Sequence, residues 1–183
     1  MIHMKWKRVL LFGGLGLGVT LTVAVVAAVS WLIWLFWPNT RVFVAGNVRL
    51  EYRLDEQPHL FGFASIGEHS DPVNPAMGLS VRAGGSQIDF DESFSEQGLP
   101  EGEPSRVSDL DPSTRVLFLF DGAVEAIMVD GHLRQVWIRS DLSPQGLEVR
   151  TALSGEWIRF PVQEAEAAKL FGTPLYVFNT FRH

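Results

Sequence analysis

The sequence contains no cysteine among its 183 residues. Disulfide bonds and thiolate metal sites are therefore excluded, because both need the cysteine sulfur. Common catalytic and phosphate-binding motifs are also absent: there is no Gly-x-Ser-x-Gly, no His-Glu-x-x-His and no glycine-rich phosphate loop after a predicted strand. The sequence thus indicates no catalytic residue, no metal ligand, no cofactor and no enzymatic activity.

Charge is absent from a long stretch near the start of the chain. Residues 9–37 form a run of 29 residues without a charged side chain. A membrane-spanning helix needs about 20 apolar residues, and a single segment can satisfy its backbone hydrogen bonds in lipid only as a helix. A cleaved signal peptide is the alternative, with a passable cleavage site at residues 26–28, but the apolar run continues past it. We therefore predict an uncleaved transmembrane helix over residues 9–37.

The charges on either side of this run predict its orientation. Lys5, Lys7 and Arg8 precede it within residues 1–8, whereas Arg41 is the basic residue close to its far end. Cytoplasmic flanks of membrane helices collect Lys and Arg. We expect residues 1–8 in the cytoplasm, the helix in the inner membrane, and residues 38–183 outside it, in the periplasm.

Small residues recur along the first half of the apolar run. Gly14, Gly18 and Thr22 are spaced four residues apart, so they share one face of a helix. Such a stripe lets two membrane helices approach closely, and it favours a helix-packing role. The alternative is that Gly is simply common in membrane helices.

Tryptophan marks both ends of the run. Trp6 precedes it, and Trp31, Trp34 and Trp37 lie in its second half. Tryptophan prefers the level of the lipid headgroups, so these residues are predicted to lie at the membrane interfaces. An aromatic docking face for a neighbouring subunit or pigment is the alternative.

The remainder of the chain is strongly acidic. It carries all 21 acidic residues and 12 of the 15 basic ones, which gives a net charge of −9. This charge argues against binding to nucleic acid or to anionic lipid headgroups.

Short apolar segments with turn residues between them predict the fold of residues 38–183. Their alternation is typical of half-buried strands, and Gly-containing dipeptides mark hairpin turns. Five consecutive strands between residues 116 and 162 are expected to pair in sequence order. One short helix is predicted at residues 163–171, with Gly172 after its end. The fold class is a mainly antiparallel β domain, a sandwich or partly open barrel, with one short helix. The predicted turns are Gly46-Asn47, Gly84-Gly85, Asp121-Gly122 and Asp130-Gly131.

Residues 91–114 interrupt this pattern and are predicted to form a long acidic loop. From Asp89 to Asp111 the formal charge is −7. The loop is either solvated surface or a docking segment for a basic partner. A calcium site at residues 89, 91 and 92 has less support, because the EF-hand spacing is absent. The docking hypothesis names Glu92, Glu96, Glu101 and Glu103.

Two classes of function fit these features. The first is a single-pass, membrane-anchored accessory or assembly subunit of a larger respiratory, photosynthetic or secretory complex. Its expected partners are the membrane and other membrane-protein subunits, and no nucleic acid. The alternative is an anchored extracytoplasmic enzyme or small-ligand-binding domain, which would need a converging His, Asp and Arg pocket in the mouth of the β domain.

Overall fold

The computed structural model describes residues 23–32, 38–54, 56–68, 70–142 and 146–181. Most of the predicted membrane segment, residues 9–37, lies outside this part of the chain. Residues 23–32 are helical and exposed. Within the described residues, no helix is both long enough and apolar enough to cross a membrane. The β domain, residues 39–180, is a compact unit of its own.

Twelve strands are described in the chain, and every strand pair with a defined register is antiparallel. The strands are β1 (Pro38–Ala45), β2 (Val48–Arg53), β3 (Phe63–Ile66), β4 (Leu79–Ala83), β5 (Ser86–Phe90), β6 (Arg106–Asp109), β7 (Thr114–Leu119), β8 (Val124–Val129), β9 (His132–Arg139), β10 (Leu147–Arg150), β11 (Ile158–Phe160) and β12 (Tyr176–Phe181).

These strands form two sheets. The larger has eight strands in the order β12-β1-β2-β3-β9-β8-β7-β6, and the smaller has four in the order β11-β10-β4-β5. The predicted mainly antiparallel β domain is confirmed, and its two sheets are consistent with a sandwich.

One hydrophobic cluster contains buried side chains from both sheets. Val136 and Ile138 of the eight-stranded sheet and Val81 and Val149 of the four-stranded sheet are all fully buried in it. Each fully buried side chain of this kind contributes about 1.5–3 kcal/mol relative to an exposed one. The apolar residues that alternate along the strands are therefore those on the face of each sheet that packs against this core.

Three of the predicted hairpin turns are confirmed. Ala45 pairs with Val48, Ala83 with Ser86, and Val129 with His132, so two residues connect each pair of strands. Asp130 and Gly131 both have positive φ, 51° and 78°. Positive φ at both central positions matches the twist of the flanking strands, which is why Asp-Gly suits this turn.

The predicted two-residue turn at Asp121-Gly122 is wider than expected. Leu119 pairs with Val124, so four residues connect β7 and β8. Phe120 and Asp121 have φ values of 51° and 57°, and Gly122 follows at 88°. A left-handed backbone costs a residue with a side chain roughly 1–2 kcal/mol. This turn is therefore strained.

The expectation that five consecutive strands pair in sequence order is wrong. β7, β8 and β9 do pair in order, but β9 also pairs with β3, and β10 pairs with β4 in the other sheet. The chain passes from one sheet to the other after a 3-10 turn at Ser140–Leu142.

The predicted short helix is confirmed as Glu164–Phe171. Gln163 and Glu166 form a capping box at its start, with the Gln163 N–H donating to Glu166 Oε2 over 2.9 Å. Gly172 ends the helix with a φ of 92°, and Leu170 anchors it in the core.

Residues 91–114 contain more structure than the predicted loop. A 3-10 turn spans Glu96–Gly98, and β6 pairs with β7 at the edge of the larger sheet. Phe94, Leu99 and Val107 pack against the core. The segment therefore buries apolar side chains and contributes an edge strand, neither of which the prediction of a long acidic loop included.

Candidate functional site

Charged side chains occupy the outer face of the four-stranded sheet. In β10, Leu147 and Val149 are buried, whereas Glu148 and Arg150, which alternate with them along the strand, are half-buried. The same alternation in β11 leaves Arg159 exposed between two buried neighbours. Because side chains alternate across a strand, these charged residues lie on the face turned away from the core.

The strand register brings these residues together from three strands. Glu148 lies opposite Arg159 of β11 on one side and Arg82 of β4 on the other. Trp157 directly precedes β11. We call these residues the arginine–tryptophan face: Arg82, Glu148, Arg150, Trp157 and Arg159.

The arginines of this face outnumber its carboxylate. Arg82 Nε donates to Glu148 Oε2 over 2.6 Å. The guanidinium carbons of Arg82 and Arg150 lie 4.3 and 4.6 Å from the centre of the Trp157 ring, within cation–π range. Among the described residues, Arg150 and Arg159 form no ion pair. The face therefore presents two guanidinium groups without a carboxylate partner.

A cavity of about 480 Å³ opens beside the face. It lies between the β4–β5 turn and Gly146, and Arg82, Gln87 and Arg159 line it. Gly146 has a φ of +73°, and a Cβ there would come within 3.1 Å of Arg159 Nη2. Glycine at this position therefore leaves room for the Arg159 guanidinium. The volume falls within the roughly 300–1,000 Å³ typical of ligand pockets.

The chemistry of this face suits non-covalent binding of anions. Guanidinium groups match carboxylates and phosphates in a fixed, two-pronged geometry. Among the described residues, no group of three or more His, Cys, Asp or Glu is placed to hold a metal ion. The face offers arginine and tryptophan surface for recognition, in a domain whose net charge is −9.

The four glutamates of the docking hypothesis occupy different environments. Glu96 Oε2 accepts from Arg115 Nη1 over 2.8 Å, while Arg115 Nε donates to Asp109 at the same distance. Glu92 and Glu101 are exposed, and within the described part of the chain neither makes a side-chain hydrogen bond or ion pair. Only these two are open to a partner.

Glu103 supports the strained turn between β7 and β8. Its Oε1 accepts from the Phe120 N–H over 2.8 Å, and its enclosed Oε2 has no hydrogen-bond partner among the described residues. Burial raises the pKa of Glu103 above its ordinary value, and the negative charge of Asp121 raises it further. Hydrogen bonds from the backbone of Phe120 and Ser105 oppose this rise. The residue therefore has a structural position that its sequence context did not indicate.

The residues of the calcium alternative make hydrogen bonds of their own. Asp89 accepts from Gln87 Nε2 over 2.8 Å. Asp91 accepts from the backbone N–H and hydroxyl of Ser93, and these bonds hold the pKa of Asp91 below its usual range.

One of the helix residues singled out in the sequence falls in the described chain. Trp31 is helical, with 59% of its surface exposed. The other residues of the predicted packing and interface sets lie outside the described residues. They are Trp6, Gly14, Gly18, Thr22, Trp34 and Trp37.

The arginine–tryptophan face was missed in the sequence. Its residues come from positions about 70 apart in the chain, and the pairing of β10 with β4 joins them. The alternation of buried and charged residues in β10 was visible, but not which strand lies beside it.

Comparison of the chain with protein-family models, with curated proteins and with solved structures finds no significant match.

Proposed function

We propose that this chain is a single-pass, membrane-anchored accessory or assembly subunit whose β domain binds an acidic segment of a partner protein. The binding surface is the arginine–tryptophan face. The observation that carries the proposal is the pair Arg150 and Arg159, which have no ion-pair partner among the described residues while Arg82 occupies the one carboxylate of the face.

Electrostatics favour this face over the rest of the domain. A net charge of −9 repels an acidic partner from most directions. A local group of arginines then guides such a partner to one place and fixes its orientation. Arginine and tryptophan are also the residue types most often found at the energetic centre of protein interfaces.

The membrane anchor follows from the sequence. Residues 9–37 carry no charge, and three basic side chains precede them. These features support an N-terminus in the cytoplasm and a β domain on the outer side of the inner membrane. The expected partners are other membrane-protein subunits, and the small-residue stripe at Gly14, Gly18 and Thr22 supports contact within the membrane as well.

A second candidate function, small-ligand binding, is supported by a different cavity. Asp91, His132 and Arg134 line one space of about 330 Å³ near the end of β5. These are the three residue types that a ligand-binding or enzymatic alternative requires. The accessory role remains the main proposal because its binding surface carries the larger unneutralised charge.

The test of the main proposal reverses the charge of the two unpaired arginines. We expect Arg150→Glu with Arg159→Glu to remain in the membrane and to fold, yet to lose most of its association with the partner. The measurement is native mass analysis of the tagged chain, solubilised in detergent from its own membranes. The control is Arg49→Glu with Arg53→Glu, which changes the net charge equally at two exposed positions of β2 in the eight-stranded sheet.

The proposal predicts that wild type and control migrate as one large complex and the double variant as a smaller species. A wild-type chain that elutes alone would contradict the accessory role. A double variant that keeps the full complex would exclude the arginine–tryptophan face as its docking surface.

A further inference from the structure

A cavity of about 330 Å³ lies where the two sheets come together at the end of β5. Phe90 ends β5 in the four-stranded sheet, and Arg134 lies near the start of β9 in the eight-stranded sheet. Val73 is held against the β9 wall, because its N–H donates to Arg134 O over 3.1 Å. Asn47 Nδ2 also donates to Pro72 O over 3.0 Å. Hydrogen bonds of the main chain and of one amide side chain therefore hold the cavity in shape.

Part of the cavity wall is apolar and aromatic. Phe90 is buried, and the Phe94 ring stacks on it with centroids 5.0 Å apart. Val73 and Leu133 add aliphatic surface. Such a wall gains free energy by covering an apolar group of a ligand, at about 0.8 kcal/mol for each buried CH₂.

The cavity also carries charges of both signs. Arg134 lines the cavity and forms no ion pair among the described residues. Asp91 and Glu92 contribute carboxylates to the same cavity. The bonds from Ser93 favour the ionised form of Asp91. Guanidinium groups bind carboxylates strongly, so an anionic group placed beside Arg134 in the cavity would be favourable.

We propose that this cavity binds a small zwitterion with an apolar body, of the class of α-amino acids with an apolar side chain. The ligand carboxylate binds Arg134, its ammonium group faces Asp91 and Glu92, and its side chain contacts Phe94 and Leu133. A volume near the lower end of the usual ligand range limits the ligand to about this size. The cavity is separate from the arginine–tryptophan face, so this inference does not depend on the docking of a partner.

The experiment uses the full chain in detergent and titration calorimetry with L-phenylalanine as the probe. Three analogues each remove one feature: N-acetyl-phenylalanine lacks the ammonium group, phenylalanine amide lacks the carboxylate, and glycine lacks the apolar side chain. We expect each to bind about tenfold or more weakly than phenylalanine, since a charged hydrogen bond or a buried aromatic side chain contributes at least that factor.

Arg134→Gln keeps the backbone carbonyl that accepts from Val73 but removes the guanidinium group. In this variant we expect phenylalanine to bind no more tightly than its amide, and the affinity for the amide to stay unchanged. Arg106→Gln, at an exposed position of β6 that does not line the cavity, is the matched control and should bind phenylalanine as wild type does. Thermal unfolding of both variants checks that they are folded.

The two carboxylates allow an independent test if Arg134→Gln fails to fold. Asp91→Asn with Glu92→Gln should weaken binding of phenylalanine and of its amide but leave N-acetyl-phenylalanine unaffected. The proposal is overturned if wild type shows no saturable binding of phenylalanine. It is equally overturned if the amide or the N-acetyl analogue binds as tightly as phenylalanine does.

Discussion

Gly67 lies where three segments of the β domain meet. Its N–H donates to Asn47 O over 3.0 Å, and its φ is +79°. A Cβ at this position would come within 2.4 Å of Arg134 O and 2.7 Å of Val73 N. Both atoms belong to the backbone and cannot rotate away. Glycine is therefore required here for its backbone angle and for its lack of a side chain.

We predict that Gly67→Ala lowers the free energy of unfolding by about 2–4 kcal/mol, because a left-handed alanine costs about 1 kcal/mol and the clash adds to it. Thermal or urea unfolding followed by circular dichroism measures the loss. Gly85→Ala is the matched control, since φ is +91° there but no atom lies within 4 Å of the added Cβ. Equal losses in the two variants would show that the close approach at Gly67 has no energetic importance.

Glu103 gives the stability of the domain a dependence on pH. Its pKa is raised above the ordinary value of 4.5, mainly by burial and then by Asp121. The folded state therefore favours the protonated carboxyl. The free-energy cost of ionising the buried Glu103 carboxyl is absent at pH values below its pKa in the unfolded chain. It applies fully at pH values above its pKa in the folded protein. The free energy of unfolding therefore falls as the pH rises through this range.

Glu103→Gln removes the ionisation and keeps an oxygen that can accept from the Phe120 N–H. We predict that the variant gains stability relative to wild type as pH rises from about 4 to 7, since only wild type must bury a charge. Melting temperatures of both proteins at several pH values test this. Glu56→Gln, at an exposed position, is the control for the general loss of a negative charge. A constant difference between Glu103→Gln and wild type would contradict the prediction.

Hairpins and the short helix could be predicted because their signals are local. The turn between β8 and β9 needs two residues with positive φ, and Asp130-Gly131 supplies them. The helix Glu164–Phe171 has its acidic residues early, Lys169 late and Gly172 after its end. In each case the deciding interactions lie within a few residues along the chain.

Strand order between the sheets could not be predicted in the same way. After β9 the next strand, β10, pairs with β4, although the two are separated by more than 60 residues. Hydrophobic alternation assigns a face to a strand but does not identify its neighbour. The expectation of sequential pairing therefore failed between β9 and β10, where the chain passes from one sheet to the other.

The edge strand β6 was missed because its four residues lack an alternating pattern. Only Val107 of this strand packs against the core, and its other contacts are pairing with β7 and surface contacts of Arg106 and Asp109 with side chains of β7. The arginine–tryptophan face could not be predicted either, because its residues come from three strands and the sequence did not show that these strands are neighbours. Alternation in the sequence predicted half-buried strands, but not the grouping of arginines around Trp157.

The charge of the whole molecule is unevenly distributed. The segment from Asp89 to Asp111 has a formal charge of −7, within a total of −9 for residues 38–183. Arg115, from β7, binds Glu96 and Asp109 and neutralises part of this charge. A concentrated charge of one sign steers an oppositely charged partner, mainly by raising the rate of association.

The hypothesis that this segment faces a basic protein surface therefore depends on its two unpaired glutamates. Glu96 and Glu103 serve the fold, so replacing them would confuse stability with docking. We predict that Glu92→Gln with Glu101→Gln slows association with the co-purified partner at low salt. The difference from wild type should shrink at high salt, because the Debye length falls to about 3 Å at 1 M. Binding kinetics at several salt concentrations measure both effects.

The control is Glu56→Gln with Glu68→Gln, which changes the net charge equally at two exposed positions outside the segment. The association rate of this control should fall less than that of Glu92→Gln with Glu101→Gln. A charge that lies more than a Debye length from the partner is largely screened and contributes little to association. Equal rates for wild type and for Glu92→Gln with Glu101→Gln at every salt concentration would identify the segment as solvated surface. Equal slowing by both double variants would assign the effect to net charge, and the docking hypothesis would then be wrong.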